Sequence, residues 1–351
     1  MTESILKSAK ELEKISTDIF VAAGASEDNA RDVAEHLVRA ELSGVVTHGV
    51  CHVREYVRNI MDEALVPDSS PEIIVNEPSA ALITGNWTFG QVAAKYATNV
   101  AIEKAKEHGS SVVSIVATHH TGRLGHYVEM AAENRMISMV LSGGYSEIVQ
   151  ATVPYGGRSA ILHTNPMALG SPCGDEPPMM FDWATTGIAG MKVNQAQEKG
   201  EQLPPGCIVD KDGNETTDPE DFFNGGAHLP FGKHKGYTLM MGAEFLGRIF
   251  SGSDEYVDTR RAGDILHHQG VTFIVFRADL FQPFSQFAER ADEMQRRVRK
   301  VPPADGFKEV LAPGDLEARR RQERTKDGVP LELEIWESII EAGKLVGIQV
   351  P

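Results

Sequence analysis

SVVSIVATHHTGRLGHYVEMAAENRMISMVLSGG, residues 111–144, is the stretch whose texture decides the fold. It opens on a β-branched run of buried-strand type, SVVSIVAT, and closes on a second apolar run, RMISMVLSGG. Between them lie a glycine- and histidine-rich loop, HHTGRLGHY, and a short helical pattern, VEMAAEN. Working outward, GQVAAKYATNVAIEKAKEHG predicts a strong helix closed by Gly109, and EIIVNEPSAALITGN predicts two short strands around a turn. Further strands are expected at PPMMFDWA and VTFIVFRA, with a turn at Asp212-Gly213. Helices are expected at KGYTLMMGAEFLGRIF, SQFAERADEMQRRVRK and LELEIWESIIEAGKL.

The first sixty-odd residues are helical in pattern. Ile5, Leu6, Ala9, Leu12, Ile15 and Ile19 recur at helical spacing with Gly24 as a stop. Ser26 and Asp28 open a second helix carrying Val33, Leu37 and Ala40. In VTHGVCHVREYVRNIMDEAL, residues Val53, Tyr56, Val57 and Ile60 share a face, which puts His48 near a helix start. Strands alternating with helices between helical ends predict an α/β protein. Its domains are a helical lobe over 1–70, an α/β large domain over 71–290, and a C-terminal segment over 291–351 returning to that lobe, since neither end alone has enough apolar surface. The mixed-sign run EARRRQER reads as a solvated helix face.

Composition narrows the functional classes. The 351 residues are 41% hydrophobic and 24% charged, which is globular rather than disordered. The net charge of −16 repels phosphate backbones and anionic membranes, so neither nucleic acid nor membrane is an expected partner. Three scattered cysteines, with no C-x-x-C pair, exclude a disulfide scaffold and fit a reducing compartment. A charged N-terminus without an apolar signal core, and no run long enough to span a bilayer, make the cytoplasm the expected location.

Four segments are candidates for chemistry. Thr47-His48-Gly49 puts a ring that titrates near neutrality in a turn, suited to proton transfer, against the plainer reading of a packing histidine. His119 to Gly125 follows a buried strand, where loop amides and Arg123 are expected to be exposed to a phosphate or carboxylate, or to form an ordinary connection. Asp182 ends an apolar strand and needs a partner for its carboxylate. Gly232 to Gly236 opens a helix with two lysines, an unspecific phosphate site. No G-x-G-x-x-G follows a strand, so the Rossmann fingerprint is absent. A zinc pair of His48 and His52 is the metal alternative, but it lacks the glutamate of an H-E-x-x-H motif, and no metal is expected.

Taken together and in order, RAELSGVVTHGV, GQVAAKYA, HHTGRLGHYVEMAAE, VPYGGR, HTNPMAL, FDWATT, PPGCIVDKDGNETTDP, HKGYTLMMGAEFLG, LAPGD and RRRQER resemble the type-2 malate/L-lactate dehydrogenase family, nearest its hydroxycarboxylate dehydrogenase branch. The resemblance runs from about residue 37 to the C-terminus and covers nearly the whole chain. It implies a non-Rossmann NAD(P)-binding large domain with a mixed sheet beside a helical lobe, a homodimer, and a cofactor held between domains. The implied reaction is hydride transfer between NAD or NADP, NAD being favoured, and a small anionic 2-oxo or 2-hydroxy acid. The alternatives are a cyclic imino acid reductase and a fold that binds without catalysing.

The resemblance implies His48 as the proton donor or acceptor. Thr47 stands where a serine is usual, and Asp182 orients the ring and raises its pKa. His120 is a second acid–base candidate. Implied cofactor contacts are His120, Thr121, Gly122, Arg123, Leu124, Phe181, Asp182, Ala184, Thr185, Lys235, Gly236, Pro313, Gly314 and Asp315, with Arg123 a candidate for a 2′-phosphate. Implied substrate contacts are His52, Arg54 and Thr164. His52 occupies a position where many members carry arginine, and a neutral imidazole cannot replace its fork, so either Arg54, Arg123 or another cation is expected to anchor the carboxylate, or the substrate is an unusual one. The stretch 143–152 also looks extended relative to some members.

Overall fold

The computed structural model describes residues 4–145, 151–261 and 268–351, so half of the extended stretch at 143–152, residues 146–150, lies outside the described residues. The run after Gly109 forms β4 (Ser110–Val116), and α5 (Gly125–Glu133) leads from it to β5 (Met136–Gly143). These two strands are not neighbours. β11 (Gly270–Arg277), from far down the chain, lies between them and is antiparallel to both. Upstream, β2 (Glu72–Glu77) and β3 (Ala80–Thr84) form a hairpin, and α4 (Gly90–His108) crosses over to make β3 and β4 the parallel pair. Downstream, β6 (Met167–Ser171) and β7 (Met179–Trp183) complete a seven-stranded mixed sheet of order β2-β3-β4-β11-β5-β6-β7.

α4 buries Ala93, Ala94, Ala97, Ala101 and Ala105 in the core of this sheet, small side chains that let its backbone lie close to the strands. Its C-terminus closes on Gly109 in the left-handed conformation. Beyond β7 come α6 (Gly190–Lys199), β8 (Ile208–Val209), β9 (Glu215–Thr216), α7 (Pro219–Phe223) and β10 (Ala227–His228). Asp212-Gly213 makes the turn between β8 and β9. α8 (His234–Glu244) then runs into a π-helical turn, Phe245–Ile249. β6 and α6 escape the periodicity reading because β6 is short and ends in Gly-Ser, and α6 buries only Val193 and Ala196.

A second core gathers both ends of the chain. Leu12, Ile19 and Phe20 of α1 (Ala9–Ala22) and Val33 and Leu37 of α2 (Glu27–Leu42) meet Trp336 and Ile339 of α11 (Leu333–Leu345). Ser8 and Ser26 cap the first two helices by accepting from the amides of Glu11 and Asn29. The expectation that Ile5 and Leu6 begin a helix is corrected: they lie in β1 (Ser4–Lys7), antiparallel to β12 (Val329–Glu332). The last helix accordingly starts at Leu333, because residues 331 and 332 are spent on the strand. The domain boundary expected at residue 291 falls inside α9 (Phe284–Arg299), whose Asp292 accepts from the amides of Gly174, Asp175 and Glu176.

α10 (Asp315–Asp327) corrects a further expectation, since its charged run is not simply solvated. Arg321 donates to Glu129 of α5, and Arg324 donates to the carbonyl of Glu41 in α2. Glu129 also receives Arg123 at 3.0 Å and Arg39 at 3.0 Å, so one buried carboxylate joins three arginines. Burial opposes its charge, but the arginines prevail and push it down to about 2.

Removing one partner of such a buried set typically costs about 3–5 kcal/mol. Glu129→Gln is therefore expected to lower the unfolding free energy in urea at pH 7 by that order; a change below about 1 kcal/mol would mean the arginines re-solvate freely. Because the folded carboxylate is depressed, its contribution is full above about pH 4.5 and is lost as pH falls towards about 2. The wild-type and variant stability curves should thus converge in acid.

Candidate active site

Two short 3-10 turns, Val46–His48 and Val50–His52, follow α2 and lead into α3 (Val53–Met61). Gly49 separates them for a steric reason. A Cβ there would lie 2.0 Å from Glu41 Oε1, the oxygen that accepts from the Val50 amide at 3.1 Å. The buried Glu41 carboxyl is thus the seat of the turn, and burial raises it to about 7. His48 and His52 leave successive turns with their rings 6.3 Å apart.

The loop after β4 brings His119 and His120 to the same place. Gly90, at the start of α4, allows the close approach: a Cβ would lie 2.2 Å from the His119 carbonyl oxygen and 2.3 Å from that of His120. The His120 ring stands 5.7 Å from His48 and 5.0 Å from His52. Tyr56, stacked on His52 at 5.6 Å, links helix and loop. Gln91 Nε2 donates to the Tyr56 hydroxyl at 2.7 Å, so the phenol's single proton goes to His120 Nδ1, also at 2.7 Å. Neutral His120 therefore carries its hydrogen on Nε2. Asn59 Nδ2 donates to His119 Nε2 at 3.1 Å, which puts that ring's hydrogen on Nδ1.

Charge is distributed unevenly over the four rings. Burial pushes His48 down to about 4, with His52 and Arg123 adding to the effect. His120 is lowered well below its ordinary range by burial, then by His52 and His48, and His119 falls to about 4. His52 moves the other way. Burial alone would lower it, but the hydrogen bond and charge of Glu55 and the Thr47 carbonyl outweigh that and raise it. The raised position of His52 sets it apart from the other three rings.

Of the residues expected at the site, Thr47, His48, His52 and His120 come together; Thr47 Oγ1 lies 3.0 Å from His48 Nδ1. Asp182 is not the partner of His48 here. Its Oδ2 accepts from the Gly125 amide at 2.7 Å, at the N-terminus of α5, where the helix dipole favours a carboxylate. Among the described residues no carboxylate bonds its ring, and burial lowers His48 rather than raising it.

Arg123 is likewise not an exposed cation. It is 1% exposed, bound to Glu129, and its amide donates to His36 Nε2 at 2.9 Å. Thr121, Gly122 and Leu124 are buried beside it, with a Cβ on Gly122 only 2.4 Å from His36 Nε2. Arg54 pairs with Glu341 at 3.0 Å rather than standing free for a carboxylate.

The remaining expected residues lie on other elements. The Thr164 carbonyl accepts from the amide of Thr185 and from its hydroxyl, both at 3.0 Å, and Ala184 is half-buried beside them. Phe181 stacks on Trp183 at 3.8 Å. Lys235 is exposed in the first turn of α8, and Gly236 must lack a side chain, since a Cβ would meet the Phe231 carbonyl oxygen at 1.6 Å. Asp315 is buried, takes Arg299 in a two-pronged pair at 2.6 and 2.8 Å, and accepts from Ala312 N. Pro313 accepts from the Met180 amide, and Gly314 is left-handed. Among the described residues no hydrogen bond, ion pair or ring contact joins Asp182, Lys235 or Asp315 to the histidine group.

Tyr56, Gln91, Asn59, Glu55 and Glu41 escaped the sequence reading. Tyr56 counted there only as part of an apolar helix face, and the others carry no spacing signal that sets them apart.

A family model described as malate/L-lactate dehydrogenase matches residues 7–340. Hydroxycarboxylate dehydrogenase B of Escherichia coli O157:H7 is 32% identical over 94% of this chain and 91% of its own. The solved sulfolactate dehydrogenase of Methanocaldococcus jannaschii superposes with a TM-score of 0.88 at 31% identity, covering 99% of this chain and 98% of that one. The solved Δ1-piperideine-2-carboxylate reductase of Pseudomonas syringae gives 0.84 at 29%, covering 96% and 99%. A match of this extent, on a mixed sheet of this shape, makes the chain a member of the malate/L-lactate dehydrogenase family.

Proposed function

We propose that this protein transfers hydride between a nicotinamide cofactor and a small 2-oxo or 2-hydroxy carboxylic acid, with His48 exchanging the proton at the substrate oxygen. Membership of a dehydrogenase family implies the cofactor class. The observation that carries the reading is the convergence of two neutral rings, His48 and His120, 5.7 Å apart beside His52, whose Glu55 partner raises it. A neutral imidazole is the form that accepts a proton from a hydroxyl as hydride leaves the carbon. In the reducing direction the same ring returns the proton, and His120, whose Nε2 hydrogen is set by Tyr56, is placed to donate a hydrogen bond to the same oxygen.

The residues present fit a nicotinamide dinucleotide. The N-terminus of α8 carries exposed Lys233 and Lys235 beside first-turn amides, a setting that suits a pyrophosphate. With Arg123 committed to Glu129, the candidate for a 2′-phosphate is gone, which favours NAD. When bound, the cofactor supplies or accepts the hydride; the protein's part is to hold the acid upright and manage its proton. Asp182 acts in this reading by fixing the start of α5 rather than by charging His48.

A second reading, reduction of a cyclic imino acid, is favoured by the likeness to the piperideine carboxylate reductase structure. There the same rings would deliver a proton to nitrogen instead of oxygen.

The described surface also supports a homodimer. Leu239, Phe245, Leu246, Ile249 and Phe250 are exposed along α8 and the π turn, a continuous apolar face. This face is the proposed contact between copies.

His48→Ala is expected to lower kcat by about 10²–10⁴-fold while cofactor affinity, read by fluorescence titration, stays within a few-fold. Turnover at the wild-type level would remove His48 from the role. A panel of 2-oxo acids and cyclic imines, followed by cofactor absorbance, separates the two readings by the ratio of kcat/KM. Phe250→Asp should convert a dimer into a monomer in light scattering, and a wild-type monomer at micromolar concentration would refute the contact.

A further inference from the structure

Both ring nitrogens of His52 face acceptors. Nδ1 lies 2.6 Å from Glu55 Oε2, and Nε2 lies 3.0 Å from the Thr47 carbonyl oxygen. A neutral imidazole has one N–H, so in the neutral form one of these contacts would set a lone pair against an oxygen. Only the imidazolium satisfies both. The ring is also clamped in place, stacked on Tyr56 at an interplanar angle of 14°.

We propose that His52 is a fixed imidazolium, locked by Glu55 and the Thr47 carbonyl, and that it acts as a positioning residue which holds His48 and His120 in their neutral forms and anchors the turn that carries His48. The anchoring follows from connectivity: His52 holds the Thr47 backbone, and the Thr47 hydroxyl meets His48 Nδ1. The electrostatic part follows from distance, since the charged ring stands 5.0 Å from His120 and 6.3 Å from His48.

The surroundings agree. Facing this ring are Glu55 and Tyr56 of α3, Thr47 and His48 of the preceding turn, Glu41 of α2, and His120 of the strand-end loop. Glu341 of α11 is engaged by Arg54, which leaves Glu55 as the hydrogen-bonded counter-ion. Because its two N–H groups are spent, His52 does not grip a substrate carboxylate directly; an incoming anion feels its charge instead. A raised imidazolium stabilises the fold below about pH 6.5, and that contribution is lost as pH rises through its higher folded value.

The proposal rests on the dehydrogenase reading only for its effect on turnover. Its test reads ring protons directly, with no cofactor or substrate present. In the full-length protein carrying 15N-labelled histidine, with rings assigned by single substitutions, His52 should hold protons on both nitrogens at pH 7.5, while His48 and His120 hold one each. Glu55→Gln keeps an oxygen but removes the counter-charge; being at an exposed position, it should leave the fold intact. It should return His52 to the neutral form at that pH. His52→Gln, which removes the imidazolium at every pH, should raise the midpoints of His48 and His120 by roughly one pH unit, and adding Glu55→Gln to it should raise them no further. A singly protonated His52 in the wild type, a doubly protonated His52 in Glu55→Gln at pH 7.5, or unmoved His48 and His120 midpoints in His52→Gln, would overturn the proposal. If a panel of acids and imines finds no turnover but these shifts appear, the functional reading fails and this one stands.

Discussion

A single buried carboxylate, that of Glu129, holds the parts of this protein in register. Arg39 reaches it from α2, Arg123 from the strand-end loop and Arg321 from α10, so three segments distant in sequence end on one group. The fully buried Arg123 cannot be released from this set without leaving a charge in a low dielectric. α2 carries the seat of the His48 turn, and the strand-end loop carries His119 and His120. Fixing these two against each other is what makes a four-histidine group possible. Arg123 has a second effect from the same place, since its charge adds to the burial that keeps His48 neutral.

The large-scale organisation was legible in the sequence because it rests on periodicity. Runs such as SVVSIVAT and VTFIVFRA can only be buried strands, and α4 announces itself by its alanines and its closing glycine. What the sequence did not disclose was order. β11 lies between β4 and β5, and no local pattern distinguishes that arrangement from direct pairing. The ends misled for a related reason: Ile5 and Leu6 fit a helical spacing, but β12 offers them a ladder of backbone hydrogen bonds, and tertiary pairing overrides propensity.

The site was legible as a list of histidines but not as a distribution of charge. Thr47, His48, His52 and His120 stood out by residue type. Their protonation depends on Tyr56, Gln91 and Glu55, which look in sequence like an apolar-face tyrosine, a helix glutamine and a surface acid. Arg123 and Asp182 show the reverse error. Both have the chemistry of a ligand site, yet one is spent on Glu129 and the other on the start of α5. Residue type sets what a side chain can do; only the neighbours decide what remains free.

These choices bear on how a protein of net charge −16 admits an anion. A positive potential is needed at the reacting centre, but a free lysine or arginine there would leave a mobile charge, and a protonated catalytic ring could not accept a proton. Separating the tasks resolves the conflict. One ring carries the charge and is pinned by a carboxylate; its neighbours, pressed by burial and by that charge, stay neutral with their tautomers set by hydrogen bonds. A negative charge brought into this group would oppose the repulsion from His52 and make the His48 ring more basic. The affinity of that ring for a proton would then depend on whether an anion is present.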